Sequence, residues 1–314
     1  MDKKKWIKHI PLFILELIVL IAAAGALYVV LRTTGKNGVK KDRIDTEHIA
    51  VNDEVKEKIQ EEENGEGEET KTYTGVYNIA FFGVDARDEN LGKGNNRSDT
   101  IMLCSIDMDK HDVRLISIYR DTYLNLGNDT YNKCNAAYAK GGPEMALGMI
   151  NMNTDLYVTD YITVGFEGLM EAVDALGGVE IDVKENEISH LNNYQISMAG
   201  TSEDQKTFTA TAGVDYEPVT EPGLQTLNGL QATAYCRIRY VGDDFERTKR
   251  QRDVLIAMME KAKGASVGTL MSAMNAVLPH VVTSIDVEDI AAVLSKVGDY
   301  KVTVSDGFPF AGMR

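Results

Sequence analysis

One apolar stretch near the N-terminus limits what the first part of this chain can form. Residues 10–31 are 22 consecutive positions, with Glu16 as their only charged residue. An α-helix of ~20 apolar residues crosses the ~30 Å hydrocarbon core of a bilayer, whereas a cleaved signal peptide has a shorter apolar region. The length favours an uncleaved membrane anchor over a buried core helix, although the small residues at 22–26 leave cleavage open.

Basic residues lie on both sides of the apolar stretch, so flanking charge alone does not set its orientation. Long domains cross the membrane largely regardless of flanking charge. We therefore expect residues 1–9 to be a cytoplasmic tail and residues 10–31 to be a single transmembrane helix. The bulk of the chain should then lie on the outer side of the cytoplasmic membrane.

The segment that follows is strongly acidic. The chain carries a net charge of −15, and residues 42–71 contain 12 Asp and Glu against 4 Lys and Arg. Such a composition, without hydrophobic periodicity, cannot bury much apolar surface. It predicts a disordered linker over residues 32–74. The acidic balance also excludes nucleic acid as a partner, because phosphate backbones require clustered Lys and Arg.

Short apolar runs alternate with helical spacing from residue 75 onward, which predicts one folded domain over residues 75–314. Residues 77–84 indicate a buried strand, and residues 101–106 and 113–118 indicate a hairpin. Further strands are predicted at 161–164 and 179–183, and helices at 143–152, 166–176, 227–236, 244–263, 267–281 and 287–297. Residues 186–222 show no pattern and are predicted to be a surface excursion. The alternation predicts an α/β fold, an α-β-α sandwich around a mixed central sheet.

Charged residues concentrate in four short segments at predicted strand ends and helix starts, at residues 83–87, 96–100, 119–122 and 237–251. Arginine grips phosphate through paired planar hydrogen bonds and stays charged at any relevant pH. Asp85 and Asp99 flank one glycine-rich loop, so their carboxylates can converge. Two carboxylates together with phosphate oxygens suit Mg²⁺, with Mn²⁺ as the alternative. The combination is typical of a phosphoryl-transfer site.

Spacing within the last segment points to the start of one helix. Arg247, Arg250 and Gln251 stand at i, i+3 and i+4, so they are predicted to share a face. The first turn of a helix also offers free N–H groups to an anion. The alternative is that these arginines form ordinary surface salt bridges with Asp243, Asp244 and Glu246 at the helix start.

Other reaction classes lack their motifs. The three cysteines are scattered and the five histidines show no zinc-ligand spacing. No GxxxxGK[ST] loop is present, and neither GxSxG nor a Cys/His arrangement supports covalent acyl chemistry.

Several motifs together resemble the LytR-CpsA-Psr family. They are NIAFFGVDAR, NRSDTIMLCSID, VRLISIYRDTY, KCNAAYAKGGPEMA, LNGLQATAYCRIRY and DDFERTKRQR, in the family's order over residues 75–310. The resemblance implies transfer of an anionic glycopolymer, such as teichoic acid or capsule, from a polyprenyl pyrophosphate carrier. The acceptor would be the muramic acid 6-hydroxyl of peptidoglycan in a Gram-positive-type cell envelope. The partners would be the lipid-linked glycan, peptidoglycan and the cytoplasmic membrane.

The resemblance also assigns roles to individual residues. Asp85 and Asp99 match the family's Mg²⁺ carboxylates, and Gln251 matches its head-group contact. The matching pyrophosphate-binding arginines are Arg87, Arg120, Arg237, Arg239 and Arg247. Motif positions without a settled role are Arg97, Asp121, Lys133, Asn135 and Arg250. We expect Asp85, Asp99, Arg120 and Asp121 to be catalytic, with Asp85 and Asp121 as alternative general bases, and we expect Arg97, Lys133 and Arg250 to join the pyrophosphate-binding set.

Two departures and two alternatives accompany this interpretation. Tyr119 stands where many members have proline, and relatives often continue beyond the final DGFPFAGMR, so the sequence could be a fragment. A hydrolase that cleaves the same pyrophosphate with water would have the same site. A non-enzymatic module that binds wall polymers or relays a regulatory signal would need the arginines but not the two carboxylates.

Overall fold

The structure is a computed structural model that describes residues 40–42, 44–57, 75–85, 91, 96–200, 208–286 and 298–313. Its strands are β1 (Lys40–Lys41), β2 (Val76–Val84), β3 (Ser98–Asp107), β4 (Asp112–Ile118), β5 (Tyr123–Asn125), β6 (Tyr131–Lys133), β7 (Asp160–Val164), β8 (Val179–Val183), β9 (Gly223–Leu227), β10 (Val281–Thr283) and β11 (Lys301–Phe308). Its α-helices include α1 (Ala136–Thr154), α2 (Phe166–Ala175), α3 (Glu185–Ala199), α4 (Gly229–Arg237), α5 (Asp244–Lys263) and α6 (Val267–Val277).

Seven strands form a mixed central sheet in the order β1-β10-β7-β2-β3-β4-β11. The predicted hairpin is confirmed, because β3 and β4 pair antiparallel. Strand β2 pairs antiparallel with β3 and parallel with β7, while β11 pairs parallel with β4. Antiparallel pairing places the end of β2, the start of β3 and the end of β4 at one edge of the sheet.

Helices cover both faces of the sheet, which makes the fold the predicted α-β-α sandwich. Along β3, Ile101 and Leu103 belong to the core shared with α1, and Met102 and Cys104 belong to the opposite core, against which Leu255 of α5 packs. This alternation follows from the two-residue period of a strand. A third apolar cluster joins the β8–β9 pair to residues of helices α2, α3, α4 and α5.

Two element predictions are wrong in the structure. Residues 186–222 are not a patternless excursion, because they contain all but the first residue of helix α3. Strand β9 begins directly after them, at Gly223. The helix predicted over 267–281 ends at Val277, and Val281 begins strand β10. The helix predicted from Pro143 is confirmed as the second part of α1, which begins at Ala136 and bends at Gly141 and Gly142. Strands β5, β6 and β11 are additional. The helix predicted at 287–297 lies outside the described residues.

The predicted linker over residues 32–74 is also wrong for the part that is described. Strand β1 pairs in parallel with β10, and the side chains of Ile49, Val51 and Val55 are buried. The folded domain therefore includes described residues from 40 onward and does not start at residue 75, while the acidic run at 61–69 lies outside the described residues.

The predicted transmembrane segment, residues 10–31, also lies outside the residues that the structure describes. Within the described ranges, no helix has the length and apolar character needed to cross a membrane.

Candidate functional site

The ends of β2 and β4 lie beside the start of β3 at one end of the central sheet. The charged residues of the candidate site lie at this end. Val84, the last residue of β2, pairs with Ser98, the first residue of β3. Asp85 and Asp99 directly follow these two positions, and Arg120 lies two residues beyond the end of β4. The structure thus brings together three of the predicted catalytic residues because antiparallel pairing aligns their strand ends.

Asp99 accepts hydrogen bonds from three arginines. Its Oδ1 is 2.7 Å from Nη1 of Arg120, and its Oδ2 is 3.0 Å from Nη2 of Arg239. Its backbone carbonyl oxygen is 3.1 Å from Nη2 of Arg247. The guanidinium groups come from three separate elements, the end of β4, the segment after α4 and the first turn of α5. Together they present positive charge around one carboxylate.

Asp244 ties two of these arginines together. Its Oδ1 is 2.8 Å from Nη2 of Arg247 and 3.5 Å from Nε of Arg120. The surface salt bridge considered for Arg247 therefore forms with Asp244, but it does not lie on the surface, since the Arg247 side chain is only 2% exposed. Asp244 was predicted only as a surface partner of the arginines and not as a site residue, and its place three residues before Arg247 on the same helix is the signal for the contact.

A cavity of about 240 Å³ opens beside this arginine cluster. Its polar lining residues include Asp85, Asp99, Arg237, Arg239, Arg247 and Gln251, and its apolar lining residues include Phe81, Val164, Leu169, Val254 and Leu255. Arg120 is not among the lining residues and reaches the cavity through Asp99. One end of the cavity is thus charged and the rest of its wall is apolar, which suits a ligand with an anionic head and a hydrocarbon tail.

Arg237 lies in the cavity wall between two aromatic rings. Its guanidinium carbon is 4.4 Å from the ring centroid of Phe166 and 5.5 Å from that of Tyr194. Cation–π contact of this kind fixes the plane of the guanidinium and leaves its N–H groups available at its edge. Sequence reasoning found Arg237 but missed the two rings, which come from α2 and α3.

Unpartnered polar atoms cluster at the same place. Among the described residues, eight buried side-chain nitrogen or oxygen atoms lack a hydrogen-bond partner. Five of them belong to the neighbourhood of Asp99, namely Ser98 Oγ, Arg120 Nε, Asp244 Oδ2, Arg247 Nε and Gln251 Oε1. Buried polar groups in folded proteins are almost always satisfied, so this concentration marks a site prepared for polar ligand atoms or water.

The pKa values of Arg247 and Arg120 shift in opposite directions. Burial lowers the pKa of Arg247, and the charge of Asp244 opposes that effect. Burial also acts to lower the pKa of Arg120, but the hydrogen bond and charge of Asp99 outweigh it and leave that pKa raised. Burial raises the pKa of Cys236, in the cavity wall, to about 12. Its thiol is therefore protonated near neutral pH and is not a nucleophile.

The structure corrects the prediction that Arg250 binds pyrophosphate. Its Nε is 2.8 Å from Oε1 of Glu187, and its two Nη atoms donate to the carbonyl oxygens of Ile238 and Val241. The guanidinium is fully engaged inside the protein and does not line the cavity. Arg247 and Gln251 do line it, so the three residues predicted to share one face are divided between two environments.

The free N–H groups predicted for the start of α5 are not available either. The carboxylate of Asp243 accepts hydrogen bonds from the backbone N–H groups of Phe245 and Glu246. The cap satisfies the first turn, so Arg247 contributes to the site through its side chain alone.

The remaining predicted residues lie around the cluster. Asp121 and Lys133 form an ion pair at 3.0 Å, outside the cavity lining. Asn135 is buried and its backbone N–H donates to the carbonyl oxygen of Arg120. Arg97 is exposed and does not line the cavity. Arg87 lies outside the described residues.

Two carboxylates of the cavity remain as candidates to hold a cation. Asp85 is exposed at the cavity mouth, and Asp99 has both carboxylate oxygens paired with arginine. In the part of the chain that the structure describes, no cluster of three or more His, Cys, Asp or Glu side chains is arranged to hold a metal ion.

A model of the LytR_cpsA_psr family matches residues 41–306. The chain belongs to the LytR-CpsA-Psr family. The match begins within strand β1. The family prediction made from the motifs is confirmed.

Two curated relatives show how far the likeness extends. Biofilm regulatory protein A of Streptococcus mutans is 29% identical over 234 residues, which cover 71% of this chain and 53% of that protein. The polyisoprenyl-teichoic acid–peptidoglycan teichoic acid transferase TagU of Oceanobacillus iheyensis is 30% identical over 227 residues, which cover 69% of this chain and 62% of that protein. The chain thus spans between half and two thirds of the length of these relatives.

A solved structure shares the fold. TagT (YwtF) from Bacillus subtilis with bound octaprenyl pyrophosphate lipid superposes with a TM-score of 0.53 at 20% identity. The match covers 76% of this chain and 80% of that chain. At this identity the likeness establishes the fold, a mixed α/β architecture around a central mixed sheet.

Proposed function

We propose that this protein is a phosphotransferase that moves an anionic glycopolymer, such as teichoic acid or capsule, from a polyprenyl pyrophosphate carrier to the muramic acid 6-hydroxyl of peptidoglycan. One observation carries the proposal: three arginines converge on Asp99 at the charged end of a cavity whose remaining wall is apolar. A pyrophosphate requires such a charge cluster, and a polyprenyl chain requires such a wall.

Family relationships support the same function. TagU of Oceanobacillus iheyensis is named as a teichoic acid transferase, and the TagT structure contains octaprenyl pyrophosphate. The name of the Streptococcus mutans relative points to regulation instead. A purely regulatory binding module would require the arginines but not the carboxylates Asp85 and Asp99, since a carboxylate competes with a bound anion for the arginines.

Bound pyrophosphate would replace Asp99 as the partner of the arginines. Arg120 and Arg239 now donate to the two carboxylate oxygens of Asp99, which occupy positions that phosphate oxygens can take. Arg247 is already buried, so its position costs no reorganisation when the ligand arrives. The unpartnered Oε1 of Gln251 and Nε of Arg247 supply further polar contacts for the head group.

The transfer itself is one displacement at phosphorus. The muramic acid 6-hydroxyl oxygen forms a bond to the phosphorus that carries the glycan, and the bond from this phosphorus to the bridging oxygen breaks. Polyprenyl phosphate leaves with the electron pair. The hydroxyl proton passes to a carboxylate, for which Asp85 at the cavity mouth and Asp121 beside Lys133 are the two candidates.

The carboxylates Asp85 and Asp99 fit a divalent cation in this arrangement. Mg²⁺ uses few protein ligands and completes its shell with water and phosphate oxygens, so two carboxylates suffice when pyrophosphate is bound. Asp99 becomes available once its arginines turn to the phosphates. When bound, Mg²⁺ or Mn²⁺ would neutralise charge on the phosphate oxygens. We include this cation, and anchoring in the cytoplasmic membrane by residues 10–31, in the proposal.

Two substitutions at the cluster test the proposal. Arg120→Ala and Asp99→Asn are each expected to lower transfer by about 100-fold or more, because each removes part of the charge arrangement around the reacting phosphorus. The measurement is incorporation of a radiolabelled lipid-linked glycan into isolated peptidoglycan. Arg114→Ala is the matched control, since Arg114 is an exposed arginine of β4 away from the cluster.

The same assay shows whether the assigned site or the assigned reaction is wrong. Variants with a wild-type circular dichroism spectrum and unchanged incorporation would refute the assigned site. Release of labelled glycan phosphate into solution, with none on peptidoglycan, would show that the enzyme is a hydrolase instead.

A further inference from the structure

Two tyrosines form an exposed aromatic surface on the hairpin that follows Arg120. Tyr123 and Tyr131 are 70% and 57% exposed, and their rings lie 6.0 Å apart at an interplanar angle of 28°. We call the two rings of Tyr123 and Tyr131 the tyrosine platform. Exposed aromatic side chains that lie together and are surrounded by polar residues are typical of binding surfaces.

The platform is held rigidly on the fold. Strands β5 and β6 pair antiparallel, so Tyr123 lies opposite Lys133 and diagonal to Tyr131 on one face of the hairpin. The partly buried Leu124 packs against the central core. The side chain of Asn153 in α1 donates to the carbonyl oxygen of Asn125 at 2.8 Å. The rings are therefore presented by a fixed backbone and lose little freedom when a ligand binds.

The platform is also connected to the arginine cluster. Lys133, beside Tyr123, pairs with Asp121, which is the neighbour of Arg120 in the chain. The backbone N–H of Asn135, two residues beyond Lys133, donates to the carbonyl oxygen of Arg120. The hairpin that carries the two rings is therefore joined directly to Arg120 and Asp121, two of the residues proposed to carry the transfer.

We propose that the tyrosine platform binds the glycan strand of the acceptor, peptidoglycan, by stacking its pyranose rings on Tyr123 and Tyr131. This inference rests on the proposed function, which supplies a carbohydrate acceptor. The C–H face of a pyranose ring packs against a flat aromatic ring, and the phenol hydroxyls and Lys133 offer hydrogen bonds to sugar hydroxyls.

The charge around the tyrosine platform favours the acceptor glycan over the anionic donor glycan as the molecule that binds there. The ion pair of Lys133 with Asp121 is internally neutral, and Asp129 at the hairpin turn adds a negative charge. An anionic glycopolymer is repelled by that balance and is attracted to the arginines instead. A protein partner would require a larger apolar surface than two rings surrounded by polar residues.

The test uses the full chain and peptidoglycan sacculi stripped of secondary polymers. Co-sedimentation is measured for wild type, Tyr123→Ala, Tyr131→Ala and the double variant. The double variant is expected to bind sacculi roughly tenfold more weakly, a change of about 1.4 kcal/mol, because both stacking rings are lost. Tyr123→Phe retains the ring and is expected to keep most of the binding. Leu224→Ala is the control for an exposed apolar side chain elsewhere, because Leu224 is 71% exposed.

A second measurement separates this inference from the proposed function. Binding of octaprenyl pyrophosphate is expected to be unchanged in the double variant, while the KM for the acceptor in the transfer assay rises more than kcat falls. Wild-type sacculus binding by the double variant overturns the inference, as does a loss of affinity for isolated teichoic acid alone. If neither the wild-type protein nor any variant transfers glycan, but sacculus binding still depends on both tyrosines, the proposed function is wrong. The inference that the platform binds peptidoglycan then still holds.

Discussion

Arg250 shows how a buried residue can shape the site without touching a ligand. It links three pieces of the molecule, because it pairs with Glu187 of α3, lies on α5 and donates to the carbonyl oxygens of Ile238 and Val241. Arg239 lies between those two carbonyl positions in the chain. The position of Arg239 at the cavity therefore depends on the hydrogen bonds of Arg250.

Loss of Arg250 is expected to destabilise the protein strongly. The side chains of Arg250 and Glu187 are 4% and 1% exposed, so Arg250→Ala leaves a buried carboxylate without its partner. Breaking a buried ion pair from one side costs about 3–5 kcal/mol. The free energy of unfolding in urea measures the effect. Lys249→Ala removes an exposed ion pair with Asp253 and is expected to change it by less than ~1 kcal/mol. Equal stability of the two variants would contradict the role assigned to Arg250.

Most polar residues that line the cavity were predictable from the sequence, whereas the position of Arg250 was not. Asp85, Asp99 and Arg120 were predictable because each stands just beyond an apolar run that ends or begins a strand. Arg250 follows Arg247 by three residues, which places the two near each other on a helix but does not say which side faces the cavity. Tertiary packing decided that question, since Glu187 comes from a helix that the sequence pattern did not reveal.

Helix α5 shows how a capping residue supports the cluster. The side chain of Asp243 accepts hydrogen bonds from the N–H groups of Phe245 and Glu246, at 2.9 and 3.1 Å from its Oδ1. The capped first turn carries Asp244 and Arg247, which both join the arginine cluster. Fraying of this turn would therefore move two residues of the site together.

Substitution at the cap tests this dependence. Asp243→Ala removes the acceptor and is expected to lower the free energy of unfolding by about 1 kcal/mol. Asp243→Asn keeps an oxygen acceptor and is expected to stay within a few tenths of a kcal/mol of wild type. Thermal unfolding followed by circular dichroism measures both. If the Asn variant loses as much stability as the Ala variant, the charge of Asp243 matters and the cap does not explain its effect.

Elements with sharply defined apolar runs were the predictable ones. Strands β2, β3 and β4 coincide with short apolar runs in the sequence, and the bounds predicted for α5 are those observed. Helix α3 was missed for a physical reason. Its buried residues are Glu187, Leu191 and Gln195 at i, i+4 and i+8, so two of the three positions of its buried stripe are polar. A helix that buries polar residues through ion pairs and amide contacts has no visible hydrophobic period.

The extent of the domain is the main correction for the molecule as a whole. Strand β1 consists of two lysines, and it joins the sheet through its backbone beside β10. Such pairing leaves no mark in a hydrophobic pattern. Beyond it, the hydroxyl of Tyr161 donates to a carboxylate oxygen of Asp42 at 3.0 Å, and Ile49 belongs to the central core. The residues near 40–57 are therefore part of the folded domain and not of a spacer.

Chains that begin at different residues distinguish a folded segment from a spacer. A chain that begins at residue 40 is expected to unfold cooperatively, whereas one that begins at residue 75 loses the buried side chains of Ile49, Val51 and Val55. Each buried Val or Ile contributes about 1.5–3 kcal/mol, so the shorter chain should be several kcal/mol less stable and melt at a clearly lower temperature. Val55→Asp in the longer chain should reproduce part of that loss, and Glu57→Ala, at an exposed position of the same segment, should not. A spacer would give both chains and both variants the same melting temperature, because a solvated segment contributes nothing to the core that holds the arginine cluster in place.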